Sequence, residues 1–174
     1  MQMLVSFLVA VWAAPAPPGS ACATPEHRQL DFWVGDWDVV VRSRTAPGKD
    51  EWQEQKGTQH IEAILGGCVI SENFAAVGAP GPWAGKSYSM WQPAKKQWRQ
   101  TWVDDQGSYL AFTGGVDKGT MALYGEPFQQ NGKKIHMRMI WLDVRPESMR
   151  WEWQRTTDEK TWTAVMVIQY QRRK

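Results

Sequence analysis

The chain has 174 residues, with 20 Lys and Arg against 18 Asp and Glu. That length suits one domain rather than two, and a domain of this size folds on its own core without staples. The near balance of charge excludes the broad basic face of a nucleic-acid binder, so no nucleic-acid partner is expected. The unusual component is tryptophan, 12 residues against 5 Phe and 4 Tyr. Trp is large and amphipathic and serves cores, pockets and interfaces alike, so the count alone does not choose among them.

In chain order, Met1 to Ala23 carries no charged side chain, and Met3 to Ala14 is an apolar run. The breaker-rich PAPPGS and then Ala21-Cys22-Ala23 follow. This reads as a secretory signal peptide over residues 1–23, with the mature domain over 24–174, although no Lys or Arg precedes the run. The run is shorter than the roughly 20 residues that span a bilayer, so no integral membrane segment is expected in the mature chain. Localisation is then periplasmic or secreted. Gly19-Ser20-Ala21-Cys22 is also a degenerate lipoprotein box, which would anchor the chain through Cys22. Cleavage after Ala23 removes Cys22 and leaves Cys68, in GGCVIS, as a buried, inert thiol with no disulfide.

Glu26 to Trp33 is the only helical candidate. From Trp37 onward the pattern is period-two alternation broken by turn residues. Strands are predicted at Trp37–Arg44, Trp52–Ile64, Cys68–Ala76, Lys86–Trp91, Trp98–Asp104, Tyr109–Gly114, Thr120–Pro127, Lys134–Leu142, Met149–Thr156 and Thr161–Gln171. Asn131-Gly132 is a favoured two-residue hairpin turn. Val77 to Gly85 is the one longer loop, placed as a lid over one mouth. The result is all-β: about ten strands joined by hairpin-length turns. An antiparallel up-and-down barrel is favoured over a sandwich, because closure removes both sheet edges.

Gly35-Asp36-Trp37 resembles the Gly-x-Trp opening of lipocalin-like barrels of the calycin superfamily. The segments DFWVGDWDV, ILGGCVISE, GKSYSMW, QWRQTWVDDQGSYLAFTGG and TWTAVMVIQYQRR together resemble an uncharacterised bacterial family of lipocalin-like exported proteins, a domain of unknown function. The resemblance covers about Leu30 to Arg172. It implies a barrel whose Trp37 plugs the closed end, with Arg172 or Arg173 lying across it; composition alone reads Arg172, Arg173 and Lys174 as a solvated tail. More remotely the chain resembles the ten-stranded, haem-binding nitrobindin-like barrels. Those carry a late proximal His, and Met149 to Gln171 has none, so no haem or other cofactor is expected.

No nucleophile motif or phosphate loop is present. His60 and Glu62 share a strand face and, with His136, form the nearest approach to a metal set. Their spacing does not favour zinc, and no metal is expected. Glu62, Glu72, Arg99, Arg138 and Glu152 fall within strands, where an inward carboxylate beside an Arg acquires a shifted pKa. Strand facing is not fixed by the pattern. Trp98 and Trp102 share a face, as do Trp151 and Trp153, and such rows suit an apolar cavity. The ligand site is expected among His60, Glu62, Glu72, Tyr88, Arg99, Trp102, Arg138 and Trp141. The leading function is binding of a small apolar or aromatic molecule. The alternatives are a barrel enzyme of isomerase or cyclase type working by acid/base chemistry, and a solid-cored envelope interaction module. No catalytic residue, ligand identity or oligomeric state is fixed at this level.

Overall fold

Alternating apolar and polar residues carry the chain through a meander of antiparallel strands. The computed structural model describes residues 22–46, 48–78 and 80–174, and most of the expected signal segment lies outside them. The strands are β1 (Gly35–Arg44), β2 (Trp52–Ile64), β3 (Val69–Val77), β4 (Trp83–Gln92), β5 (Gln97–Asp104), β6 (Tyr109–Asp117), β7 (Thr120–Gly125), β8 (Phe128–Gln130), β9 (Lys133–Leu142), β10 (Ser148–Thr156) and β11 (Thr163–Arg172). Each of β1 to β6 pairs with its successor, β7 pairs with β9, and β9, β10, β11 and β1 complete the ring. Ten strands therefore close into an antiparallel barrel, and β8 is an eleventh strand appended to the edge of β9. Closure satisfies every strand edge of the ring.

Two expected elements are redrawn. The strand expected over Thr120–Pro127 stops at Gly125, and the chain turns back as the short hairpin β8–β9. Asn131 and Gly132 make its turn with φ of 51° and 72°, the double positive φ that a type I′ turn requires. The expected lid over Val77–Gly85 is shorter, because β4 already begins at Trp83. Trp83 enters the ladder opposite Ala76, leaving only residues 78–82 between the strands.

The region before β1 forms two 3-10 turns, Pro25–Arg28 and Asp31–Trp33. They plug one end of the barrel. Leu30 is fully buried and Trp33 nearly so, and burying one such side chain stabilises by roughly 1.5–3 kcal/mol. Side-chain hydrogen bonds hold the plug from three directions. The Trp37 indole donates to the Trp33 carbonyl at 2.9 Å, the Trp98 indole donates to Gln29 Oε1 at 3.0 Å, and Arg28 Nη2 donates to the Gly67 carbonyl at 2.7 Å.

The plug is also tied covalently. Cys22 and Cys68 form a disulfide with their Cα atoms 5.0 Å apart. This overturns the expectation of an unpaired, inert Cys68. Cys68 follows the turn at Leu65–Gly67 that joins β2 to β3, and that turn lies beside the plug, so the two thiols meet.

The first and last strands close the ring at the same end. Trp37 pairs with Arg172, whose guanidinium lies 4.0 Å from the Trp37 ring centroid. Arg172 also donates to the Val34 carbonyl at 3.0 Å and the Pro146 carbonyl at 2.7 Å. Gly35 has φ of +140°, and a Cβ there would stand 2.1 Å from Arg172 Nη1. The glycine of Gly-x-Trp therefore makes room for the arginine that covers the tryptophan. Arg172 is accordingly a structural clasp rather than part of a solvated tail, while Arg173 pairs with Asp38 on the surface.

Candidate functional site

Strand phase decides which residues see the interior. In β3, Ile70, Glu72, Phe74 and Ala76 alternate with the outward Val69, Asn73, Ala75 and Val77, and all four are buried. Glu72 thus shares its phase with apolar core residues. It pairs across the ladders with Ile61 of β2 and Ser87 of β4.

Between the plug and the opposite end lies a cavity of about 200 Å³. Its walls are mostly aromatic. Phe74, Trp83 and Trp102, from β3, β4 and β5, form one cluster with ring centroids 4.7 to 6.1 Å apart. Trp151 and Trp153, both from β10, stand 6.1 Å apart, and Phe112 of β6 meets Trp153 at 5.3 Å. In the ten-stranded ring β10 is five strands from β4 in either direction. The two Trp pairs therefore face each other across the barrel. Gly85 is what admits Trp102: a Cβ on Gly85 would stand 2.1 Å from the indole Cζ2.

The polar part of the cavity is small and specific. Gln59 Nε2 and Ser87 Oγ donate to the two oxygens of the Glu72 carboxylate. Burial pushes Glu72 up from 4.5 to about 7, with those two hydrogen bonds opposing the shift. Tyr170, from β11, also lines the cavity. Burial and then the neighbouring Glu72 charge push its phenol well above the usual value. Gln59 is 3% exposed and its Oε1 has no hydrogen-bond partner. Next along, Gln100 Nε2 donates to Ser89 Oγ at 2.8 Å.

Towards the open end, Asp104 accepts from the Trp102 indole at 2.9 Å and from the Ser108 backbone N–H at 2.8 Å. Although partial burial opposes them, these bonds hold its carboxyl below the ordinary value. They also fix the tilt of the Trp102 ring.

Of the residues expected at the site, Glu72 and Trp102 line the cavity. Trp141 points inward but lies under it, packed on Trp33 at 5.2 Å and Phe32 at 6.5 Å. The others lie outside the barrel. His60 is half exposed and bonded to Asp36 at 2.7 Å; Glu62 and Arg99 are exposed, and Tyr88 is 51% exposed. Arg138 alternates with the inward Met139. It donates to Gln154 at 2.7 Å and lies 4.1 Å from the Trp162 ring. Glu152 is on that same outer face, bonded to Arg150 and Gln154. His136 pairs with Glu159 at 3.2 Å, remote from His60, and no metal-holding group of three occurs among the described residues.

Sequence reasoning overlooked Gln59, Gln100 and Tyr170, and took Ser87 for an ordinary strand residue. One signal was available: a Glu in phase with Ile70, Phe74 and Ala76 has to face the core. Gln59, in phase with Ile61, carries the same signature.

These features define a closed ten-stranded barrel with one plugged end and an interior cavity walled by tryptophan around a buried carboxylate. The chain belongs to a family described as a protein of unknown function, DUF1579, whose model matches residues 23–172. Among solved structures it is similar to Rv2717c from M. tuberculosis, with a TM-score of 0.60 and 12% identity over 87% of this chain and 99% of that one. That likeness shows the fold alone. No curated protein matches the sequence. No helix among the described residues is long and apolar enough to cross a membrane.

Proposed function

We propose that this barrel is an exported binding protein that takes a small, largely apolar aromatic molecule into its interior, in the manner of lipocalin-like carriers. The observation that carries the reading is the cavity of about 200 Å³ between facing Trp walls. An engineered apolar cavity of about 150 Å³ holds benzene, so a ligand of one or two rings matches this volume. A solid-cored interaction module has no use for such a space. Export is supported by the apolar run Met3–Ala14 and by the Cys22–Cys68 disulfide, since disulfides persist in oxidising compartments. A Cys22–Cys68 bond kept in the mature protein supports signal cleavage before Cys22 rather than after Ala23, and argues against a lipid on Cys22.

The test is calorimetric titration of the oxidised protein with phenol, 2-phenylethanol and 2-naphthol. Saturable one-to-one binding is expected, and Gly85→Val, which fills the space held by Trp102, abolishes it. No binding by any of the three removes the reading.

One observation favours a second reading, acid/base catalysis on a bound carbonyl compound. Glu72 is pushed up to about 7 and faces the cavity, the protonation range that suits a general base at neutral pH. Phenylacetone in deuterated buffer tests it. Exchange of the α-hydrogens catalysed by the wild type and lost in Glu72→Gln supports catalysis; exchange at the buffer rate with both removes it.

A further inference from the structure

We infer that the cavity selects a cationic aromatic ligand, a small primary amine whose ring lies between the tryptophan walls and whose ammonium meets Glu72 and Gln59. This rests on the binding reading above and names the ligand class for that same site.

Three observations converge. The first is charge. The ionisable side chains lining the cavity include two carboxylates, Glu72 and Asp104, and no Lys, Arg or His. The basic residues near these strands in sequence, Lys86 and Arg99, are exposed on the outer face. Among the described residues an ionised Glu72 therefore has no cation lining its cavity, and a buried carboxylate without one is costly. A ligand ammonium supplies it, while a ligand carboxylate would add a like charge.

The second is the hydrogen-bond inventory. Gln59 lines the cavity beside Tyr170, and its buried Oε1 accepts no hydrogen bond within the described residues. The Glu72 oxygens each accept one bond and retain lone pairs. An ammonium carries three donors and no acceptor, which complements this set. A ligand hydroxyl supplies one donor, and a carboxylate supplies none.

The third is the aromatic wall. Trp83 and Trp102 face Trp151 and Trp153 across the cavity. Indole faces attract cations as well as stacking on rings, and the attraction grows where water is excluded. The cavity thus holds both ends of an arylalkylamine, and it is too small for a long-chain amine lying extended.

Three probes of equal shape decide the matter: phenethylamine as cation, 2-phenylethanol as neutral isostere and phenylacetate as anion. Binding to the oxidised full chain is followed at pH 8 by calorimetry and by tryptophan emission. Phenethylamine is expected to bind at least about tenfold more tightly than 2-phenylethanol, with phenylacetate weakest. Glu72→Gln, which keeps the side-chain shape, is expected to weaken phenethylamine binding at least about tenfold and to remove the preference for the amine over the alcohol. The wild-type ranking decides even if that variant fails to fold. Equal or tighter binding of the alcohol or the anion overturns this inference and leaves the binding function standing. Failure of all three probes overturns both.

Discussion

Arg172, from the last strand, lies over the indole of Trp37 in the first, its guanidinium carbon 4.0 Å from the ring centroid, and the guanidinium reaches two backbone carbonyls. The contact joins the two ends of the meander at the plugged end, so it acts on closure of the whole ring. Arg172→Ala removes a partly buried stacking contact and two charge-assisted hydrogen bonds. The expected loss is about 2–4 kcal/mol of unfolding free energy in urea titration. Arg172→Lys is expected to recover less than half of it, because an ammonium cannot stack or reach both carbonyls as a planar fork does.

The disulfide has a separate role. Cys22 and Cys68 are 46 residues apart in sequence, and the bond anchors the plug beside the β2–β3 turn. Replacing both with Ser is expected to lower stability by about 2–4 kcal/mol. A thiol reductant is expected to lower the wild-type melting temperature and leave the double variant unchanged. Intact mass under non-reducing conditions, two hydrogens below the reduced mass, reports the bond directly.

Glu72 makes stability depend on pH in a stated direction. Its carboxyl titrates near 4.5 in the unfolded chain and near 7 in the barrel. Below pH 4.5 both states hold the proton, and the contribution is fully present. Between 4.5 and about 7 the unfolded chain ionises first, so stability falls as pH rises, by on the order of 3 kcal/mol in all. Chemical denaturation between pH 4 and 8 measures this slope. Glu72→Gln is expected to flatten it.

Gly85 tests how the cavity is built. A Cβ at that position collides with the Trp102 indole. Gly85→Ala is expected to cost about 1–3 kcal/mol through overpacking. Displacing Trp102 also strains its bond to Asp104, so tryptophan emission is expected to shift with the loss of stability. An unchanged emission spectrum and an unchanged urea midpoint would mean that Trp102 does not occupy that space.

The barrel was legible in the sequence because its evidence is local. Alternation, turn residues and hairpin-length connections locate ten of the strands to within a few residues, and Gly35-Asp36-Trp37 marks the opening of the first. The short β8 escaped because three exposed residues carry no periodicity. The site was less legible. Glu72 and Trp102 were among the expected residues, but so were His60, Glu62, Tyr88, Arg99 and Arg138, which face outward. An exposed polar strand residue and an inward one look alike until the phase of their own strand is fixed.

Composition, alternation and turn chemistry by themselves determined an all-β antiparallel meander, because each depends on residues within about ten positions of one another; they favoured closure over a sandwich, but closure itself is the pairing of β1 with β11 across the length of the chain. Contacts between distant segments decided the rest. Cys22 meets Cys68 because the plug folds beneath the β2–β3 turn. Trp83 and Trp102 face Trp151 and Trp153 because ring closure sets β4 and β10 five strands apart. Arg172 covers Trp37 because the last strand returns beside the first. The cavity exists only through that closure, since no single strand or hairpin encloses space.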